Sequence, residues 1–195
     1  MKQILLRLRI FQRKQIISVV FVCVLILAVC WGIRIVHINA SQPDVTEIAL
    51  GEVYDTGALN CKIVETGIYD RTSFEEKFSV DLSTQFEEDE EAENKLLCCK
   101  MDISNHSGRD MAWEEVVDPL SCGFESVTWF SAVDSFITSQ LNSFQGECLR
   151  GGTSQSVWFV TILGRNCFRD ATWKNLKTDE FLYVSGLAPK IMFRL

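Results

Sequence analysis

Six cysteines are the residues whose chemistry the sequence raises first. They are Cys61, Cys98, Cys99, Cys122, Cys148 and Cys167. Outside the cytoplasm six thiols can form up to three disulfides, while some can simply be small buried hydrophobic side chains. Adjacent Cys98 and Cys99 would point to opposite faces of a strand and so not bond to each other. Cys61 and Cys99 both occupy inward-facing positions of predicted strands, and they are the predicted disulfide pair. No CxxC pair occurs, which disfavours a zinc knuckle or a thioredoxin-like site.

The chain has only two histidines that could take part in catalysis. His37 follows a long apolar run closely, and His106 lies in a predicted turn, so any Ser-His-Asp or Cys-His site would have to form around His106. The sequence contains no GxSxG, HExxH, P-loop or GxGxxG motif, which disfavours the commonest hydrolase, NTPase and dinucleotide-binding classes. The sequence therefore predicts no catalytic residue, no cofactor and no metal site.

Carboxylates and tryptophans offer two further kinds of chemistry. Residues 87–94, EEDEEAEN, form an acidic run that reads as a solvated loop. A calcium site is the alternative there, but the run lacks the spaced DxDxDG ligands. Two of the many acids could also form a pair for glycoside hydrolysis, although nothing selects the two. Trp113, Trp129 and Trp173 could stack on sugar rings, but we expect them to fill the core or cover sheet edges.

The elements that position these residues are predominantly short strands. Alternating apolar residues predict strands at 59–69 and 95–104, and a run that is apolar on both faces predicts a buried central strand at 155–163. A change of phase near Gly67 predicts a bulge. Further strands are predicted at 48–53, 78–86, 110–117, 124–130, 180–184 and 189–195, and a short helix within 132–144. Many short strands rich in Val, Ile, Phe and Trp favour a β-sandwich, with a β-barrel as the alternative.

Residues 16–33 form an uncharged apolar run of 18 residues with five basic residues before it. This length just spans a hydrocarbon core of roughly 30 Å, and the preceding charges predict a cytoplasmic N-terminus. The run is therefore predicted to be an uncleaved transmembrane anchor. A secretory signal cleaved after Ala40 and a lipoprotein signal with Cys30 as the lipidated residue are the alternatives. All three place the rest of the chain outside the cytoplasm.

The net charge of the chain changes sign just after this apolar run. Six of the 19 basic residues lie at or before Arg34 and all 26 acidic residues follow it, so 35–195 carry 13 basic against 26 acidic residues, a net charge of −13. Such a domain repels nucleic acid and anionic lipid. The predicted organisation is a cytoplasmic basic segment (1–15), the anchor or signal (16–33), a stalk (34–45) and one extracytoplasmic domain (46–195).

Three segments of that domain resemble a known family. They are GEVYDTGALNCKIVETGIYD at 51–70, LLCCKMDISNHSGRDMAW at 96–113 and LRGGTSQSVWFVTIL at 149–163. They look like the uncharacterised membrane- or lipid-anchored bacterial surface proteins that carry an immunoglobulin-like "immunoprotective extracellular" domain. The positions that match its turns and its late strand are Asn105, Gly108, Gly152 and Phe159. The acidic insertion at 87–93 and the long segment 119–149 depart from that pattern.

The resemblance implies a bacterial, Gram-positive host and an immunoglobulin-like fold, but it brings no activity and no site residue. We therefore expect a non-enzymatic module at the cell membrane, anchored by 16–33, that binds a protein or a cell-envelope component. An envelope enzyme acting on glycans through two carboxylates and an accessory subunit of a membrane complex are the alternatives.

Overall fold

The structure is a computed structural model that describes residues 24–27, 29–34, 45–83, 86, 94–143, 148–187 and 190–195. The chain divides into two compact units, Met1–Pro43 and Asp44–Leu195. In the first unit 24–27 and 29–34 are helical with exposed apolar side chains. Over all the described ranges, no helix combines the length and the apolar character needed to cross a membrane. Residues 16–23 and 28 of the predicted anchor, and the whole of the predicted segment 1–15, lie outside the described residues.

The second unit is a β-sandwich with short helices. Its strands are β1 (Val45–Ile48), β2 (Tyr54–Asp55), β3 (Leu59–Asp70), β4 (Asn94–Asn105), β5 (Met111–Ala112), β6 (Gly123–Ser126), β7 (Trp129–Ala132), β8 (Cys148–Leu149), β9 (Ser154–Gly164), β10 (Leu182–Val184) and β11 (Lys190–Arg194). Its helices are α1 (Arg71–Phe78), α2 (Trp113–Val117), α3 (Ser135–Leu141) and α4 (Asp170–Lys174), with single 3₁₀ turns at Arg165–Cys167 and Thr178–Glu180.

Two sheets form the layers. One has the order β1-β11-β10-β6-β7 and the other the order β2-β3-β4-β9, while β5 pairs with β8. The β1–β11 pair is parallel and the other pairs are antiparallel. The main core lies between the sheets, where side chains from both inner faces meet. The predicted sandwich is thus confirmed at the level of its architecture.

Strand β4 shows why the sequence folds this way. Its residues alternate, and Leu97, Cys99, Met101 and Ile103 enter the core between the sheets. The alternation predicts a half-buried strand with Cys98 on the outer face, but Cys98 is buried in a second core together with Leu96. That second core forms because α1, α3 and Leu82 cover half of the outer face of this sheet.

Several predicted elements are confirmed. Strands β3, β4, β9 and β11 match the predictions at 59–69, 95–104, 155–163 and 189–195, and α3 is the helix expected within 132–144. The bulge expected near Gly67 lies a few residues earlier, since the register of β3 shifts between Ile63 and Glu65. The acidic run at 87–93 lies outside the described residues.

Four predictions are wrong in informative ways. The described residues of the predicted strand 78–86, which are 78–83 and 86, form no strand. Asp70 caps α1 by accepting from the Ser73 N–H, the helix includes Phe78, and the chain leaves it through Ser79 at φ 54°. The predicted strand 110–117 pairs only over Met111–Ala112 and then becomes α2. The first strand is Val45–Ile48, just before the predicted 48–53. Strand β9 has buried residues on both faces, Phe159 on one and Val160 on the other, but it lies at the edge of its sheet, not at its centre.

Candidate functional site

Among the described residues, the β6–β7 hairpin carries the most exposed of the large apolar side chains. The register pairs Ser126 with Trp129, which leaves Val127 and Thr128 as a two-residue turn. Val127 is 100% exposed and Phe130 is 53% exposed. Trp129 points to the other face, where its ring lies 5.7 Å from that of Phe181. The hairpin is therefore anchored on one face while it presents apolar groups on the other.

A groove of about 460 Å³ runs beside this hairpin and is called the hairpin groove below. Val184 and the Phe130 ring supply apolar surface, and Cys122 lies at its edge. A Cβ atom on Gly123 would stand 2.7 Å from the Phe130 ring, so glycine is what lets this ring lie over the sheet. Lys190 Nζ and Glu125 Oε2 form an ion pair of 2.8 Å along the groove.

A second groove of about 390 Å³ lies at the same hairpin and is lined by acids, so we call it the acidic groove. Its charged residues are Glu47, Glu125, Asp179, Glu180 and Arg194. Arg194 Nε donates to Glu47 Oε1 at 2.5 Å, and this hydrogen bond holds the pKa of the Glu47 carboxyl below its usual value. A general acid for glycoside hydrolysis needs the opposite shift, a pKa raised by burial. The acidic groove is better suited to receiving a basic side chain.

The histidine and tryptophans singled out in the sequence lie away from these grooves, apart from Trp129. His106 is exposed in its turn, where its backbone N–H donates to the Ala58 carbonyl at 2.8 Å. Trp113 is buried, and Trp129 and Trp173 pack against the main core, as expected of aromatic residues in a sandwich. Within the described ranges, no three His, Cys, Asp or Glu residues lie close enough to hold a metal ion.

Cys61 and Cys99 are both buried free thiols on neighbouring strands. Cys61 lies opposite Ile103 and Cys99 lies opposite Thr66. Cys99 therefore lies four positions along β4 from the residue opposite Cys61, about 13 Å along a strand, which is more than the Cα separation of a disulfide. The predicted pair would need a different register. Burial raises the pKa of the Cys61 thiol to about 12 and that of Cys99 well above its usual value.

One cluster on the opposite sheet is invisible in the sequence. Lys77 Nζ donates to Glu65 Oε1 and to the Tyr69 hydroxyl, both at 2.6 Å. It also lies 4.8, 5.4 and 5.7 Å from the ring centroids of Tyr69, Phe78 and Trp158. The hydrogen bonds that Lys77 donates to Glu65 and Tyr69 raise the pKa of the Lys77 ammonium group. These residues come from β3, α1 and β9, so only the tertiary fold brings them together.

The hairpin turn was missed for a local reason. The sequence signature of a two-residue hairpin is Asn-Gly or Asp-Gly, which supplies positive φ. Among the described residues other than glycine, Ser79 has positive φ whereas Val127 and Thr128 do not. Without that signature, 124–130 reads as one continuous strand.

No family model and no curated protein sequence matches the chain. Two solved structures are similar to it in fold. An uncharacterized beta-sandwich protein from Clostridium difficile 630 has 11% identity and a TM-score of 0.48, with 80% of this chain and 97% of that chain covered. A conserved hypothetical protein from Bacillus anthracis has 10% identity and a TM-score of 0.49, with 74% of this chain and 94% of that chain covered.

Proposed function

We propose that this protein is a non-enzymatic, membrane-anchored and extracytoplasmic module of the immunoglobulin-like kind. Its β6–β7 hairpin binds an extended, basic segment of a partner protein. The observation that carries the proposal is the pair of apolar side chains, fully exposed Val127 and half-exposed Phe130, on an edge hairpin between two grooves. Exposed apolar groups rimmed by polar ones are typical of interaction sites.

The backbone at Phe130 is available to such a segment. Residues that flank a two-residue turn exchange hydrogen bonds, so the pairs alternate from Ser126 and Trp129 onward. The Val133 N–H donates to the Cys122 carbonyl, in agreement with this alternation. Phe130 and Ala132 then direct their backbone groups away from β6. The Ala132 carbonyl accepts from Thr161 Oγ1 at 2.9 Å, whereas Phe130 lies nearer the tip of the hairpin. An extended peptide could pair with this edge by strand addition.

The charged residues along the two grooves indicate that the partner segment is basic. The acids along the two grooves are Glu47, Glu125, Asp179 and Glu180, against the bases Lys190 and Arg194. This excess of acid agrees in sign with the net charge of −13 over 35–195. At these two grooves, complementary potentials favour encounter with positively charged segments and disfavour acidic ones. The expected ligand therefore combines an apolar side chain for the hairpin groove with a Lys or Arg for the acidic groove.

Peptide binding tests this function directly. The full-length protein in nonionic detergent is presented with an array of short extended peptides that vary in apolar and charged positions. We expect the retained peptides to be basic and to bind Val127→Ser/Phe130→Ser at least about tenfold more weakly. Val64→Ser is the matched control, because Val64 is 41% exposed on the other sheet. Selection of acidic peptides, or equal weakening by the control, would contradict the proposal.

A glycan-processing envelope enzyme is the second candidate. The observation in its favour is the gathering of four carboxylates in the acidic groove. Against it, Glu47 and Glu125 are engaged by Arg194 and Lys190, and the pKa of Glu47 is lowered rather than raised. An accessory subunit of a membrane complex, the remaining alternative, would use the same hairpin for its docking.

A further inference from the structure

A third groove lies on the outer face of the four-stranded sheet and differs from the other two in character. It encloses about 350 Å³ between β4, β9 and the end of α3, and we call it the β9 groove. Its lining is mainly polar and includes Lys100, Asn142, Ser154, Ser156 and Trp158. It lies on the other sheet from the hairpin and belongs to no function proposed so far.

Strand alternation explains the polar lining. Ser154, Ser156 and Trp158 occupy every second position of β9 and pair in register with Ser104, Asp102 and Lys100 of β4. They therefore share the outer face of the sheet. The helices cover the other half of this face, over Leu96, Cys98 and Val160, and leave this half open.

The ammonium group of Lys100 is the charged centre of the β9 groove. Its Nζ lies 5.7 Å from the Trp158 ring centroid. The two nearest acids by register and sequence have other partners: Glu65 Oε1 accepts from Lys77 at 2.6 Å, and Asp102 Oδ1 accepts from Ser156 Oγ at 2.5 Å. In the part of the chain that the structure describes, no ion pair includes Lys100. Lys100 is thus a cation without a carboxylate, in a groove inside a strongly acidic domain.

The neighbours of Lys100 indicate what an anion in this groove would look like. Ser156 donates its hydroxyl hydrogen to Asp102, and the Ser154 hydroxyl is hydrogen-bonded to that of Ser104 at 2.6 Å. Each serine oxygen keeps a lone pair, so both can accept hydrogen bonds from the hydroxyl groups of a ligand. Asn142 is held in place because it bonds the backbone of Trp158 at both its amide atoms, each at 2.8 Å. The edge of the indole adds apolar surface beside these polar groups. Pockets that orient small ligands combine such apolar surface with a few fixed polar groups.

From this arrangement we propose that the β9 groove binds an acidic glycan, a sugar chain that bears carboxylate or phosphate groups. The anionic group lies on Lys100 and the sugar hydroxyls lie along Ser154 and Ser156. The shared chemistry is an anion on a polyhydroxylated chain, and either anion fits a lysine. Binding here is independent of the hairpin, so this site and the protein-binding function can succeed or fail separately.

The test uses three oligomers of similar length: oligogalacturonate for carboxylate, a poly(glycerol phosphate) chain for phosphate, and maltohexaose as the neutral comparison. Each is titrated into the full-length protein in nonionic detergent, and binding is followed by calorimetry and tryptophan fluorescence. We expect at least one acidic oligomer to bind at least about tenfold more tightly than maltohexaose. Whichever acidic oligomer binds identifies the anion.

The matched variants are Lys100→Gln and Lys62→Gln. Lys62 lies on the same face of the neighbouring strand, in register with Asp102, but outside the groove lining. We expect K100Q to weaken acidic-glycan binding about tenfold or more and K62Q to change it less than about threefold. Equal weakening by both variants, tight binding of maltohexaose, or binding of neither acidic oligomer would overturn the proposal.

Discussion

At the scale of single residues, buried thiols are the groups whose titration matters most to the fold. Cys61, Cys98 and Cys99 are fully buried on β3 and β4. Burial raises the pKa of Cys61 and of Cys98 to about 12, and that of Cys99 well above its usual value. The thiolate is the reactive form of cysteine, so these residues are chemically inert at neutral pH. Cys167, by contrast, is exposed.

We expect the free energy of unfolding to fall as the pH rises above about 8.5. An unfolded thiol loses its proton near about pH 8.5, while the folded thiols keep theirs, so unfolding releases protons in this window. The stabilisation is complete below that pH and is lost as the pH approaches 12, the pKa of Cys61 and Cys98. Each buried thiol contributes a slope of up to about 1.4 kcal/mol per pH unit. Urea unfolding of the reduced protein at several pH values from 7 to 10.5 measures this slope of the free energy of unfolding.

Two alanine variants isolate the thiols in this measurement. Cys98→Ala should remove one thiol's share of the slope, and Cys167→Ala should leave the slope unchanged. Labelling in denaturant without reductant shows at the same time whether Cys61 and Cys99 are free. A stability that stays constant from pH 8.5 to 10.5 would contradict the expected pH dependence.

At the scale of elements, α3 and the residues around it close the open edge of β9. Val160 donates its N–H to Thr138 Oγ1 at 3.2 Å and accepts from the Asp134 N–H at 2.7 Å. Two residues earlier on the same strand, Asn142 accepts from the Trp158 N–H and donates to the Trp158 carbonyl. The side chains of Thr138 and Asn142 and the backbone N–H of Asp134 thus take the place of a neighbouring strand at Trp158 and Val160, which protects this edge from pairing with other chains.

Asn142→Ala should destabilise the domain by about 1–3 kcal/mol, because both backbone groups of Trp158 lose their partner. We also expect faster aggregation, since an open strand edge templates pairing between chains. Asn175→Ala is the control, because the Asn175 side chain donates an exposed hydrogen bond to the Ala171 carbonyl. Urea unfolding and light scattering measure the two effects. Equal losses of stability in the two variants would contradict the prediction that the hydrogen bonds of Asn142 to the Trp158 backbone stabilise the domain.

The same elements show which parts of the fold can be predicted from the sequence alone. Strands β3 and β4 were predictable because their alternation is regular and local. The edge position of β9 was not predictable, because α3 buries Val160 on the second face of this strand, and an edge strand covered in this way has the apolar pattern of a central one. The exposed side of the hairpin depends on the order β1-β11-β10-β6-β7, which joins segments far apart in the chain. The grooves depend on the same long-range pairing, so their residues could not be selected from spacing alone.

At the scale of the whole molecule, the distribution of charges around the apolar run predicts which side of a membrane each part of the chain occupies. Every acidic residue follows Arg34, and 35–195 carry a net charge of −13. Five basic residues precede the uncharged run 16–33. Basic residues flanking an apolar run stay preferentially on the cytoplasmic side. Both proposed ligands, a basic protein segment and an acidic glycan, would then meet the sandwich outside the cytoplasm.

Membrane attachment through 16–33 is the prediction on which that arrangement depends. Full-length protein should pellet with membranes, leave them in nonionic detergent but not in high salt, and be cleaved by protease added to intact cells. Leu25→Arg/Leu27→Arg should release it, because each charge near the centre of a span costs about 2.5–3.5 kcal/mol. Leu50→Arg/Val53→Arg adds the same charge within the sandwich unit and should leave attachment intact.

Mass spectrometry distinguishes the alternatives, since a mature chain that begins at Ser41 indicates a cleaved signal and one that begins at a lipidated Cys30 indicates a lipoprotein. Recovery of either shortened form from the host would contradict the uncleaved anchor.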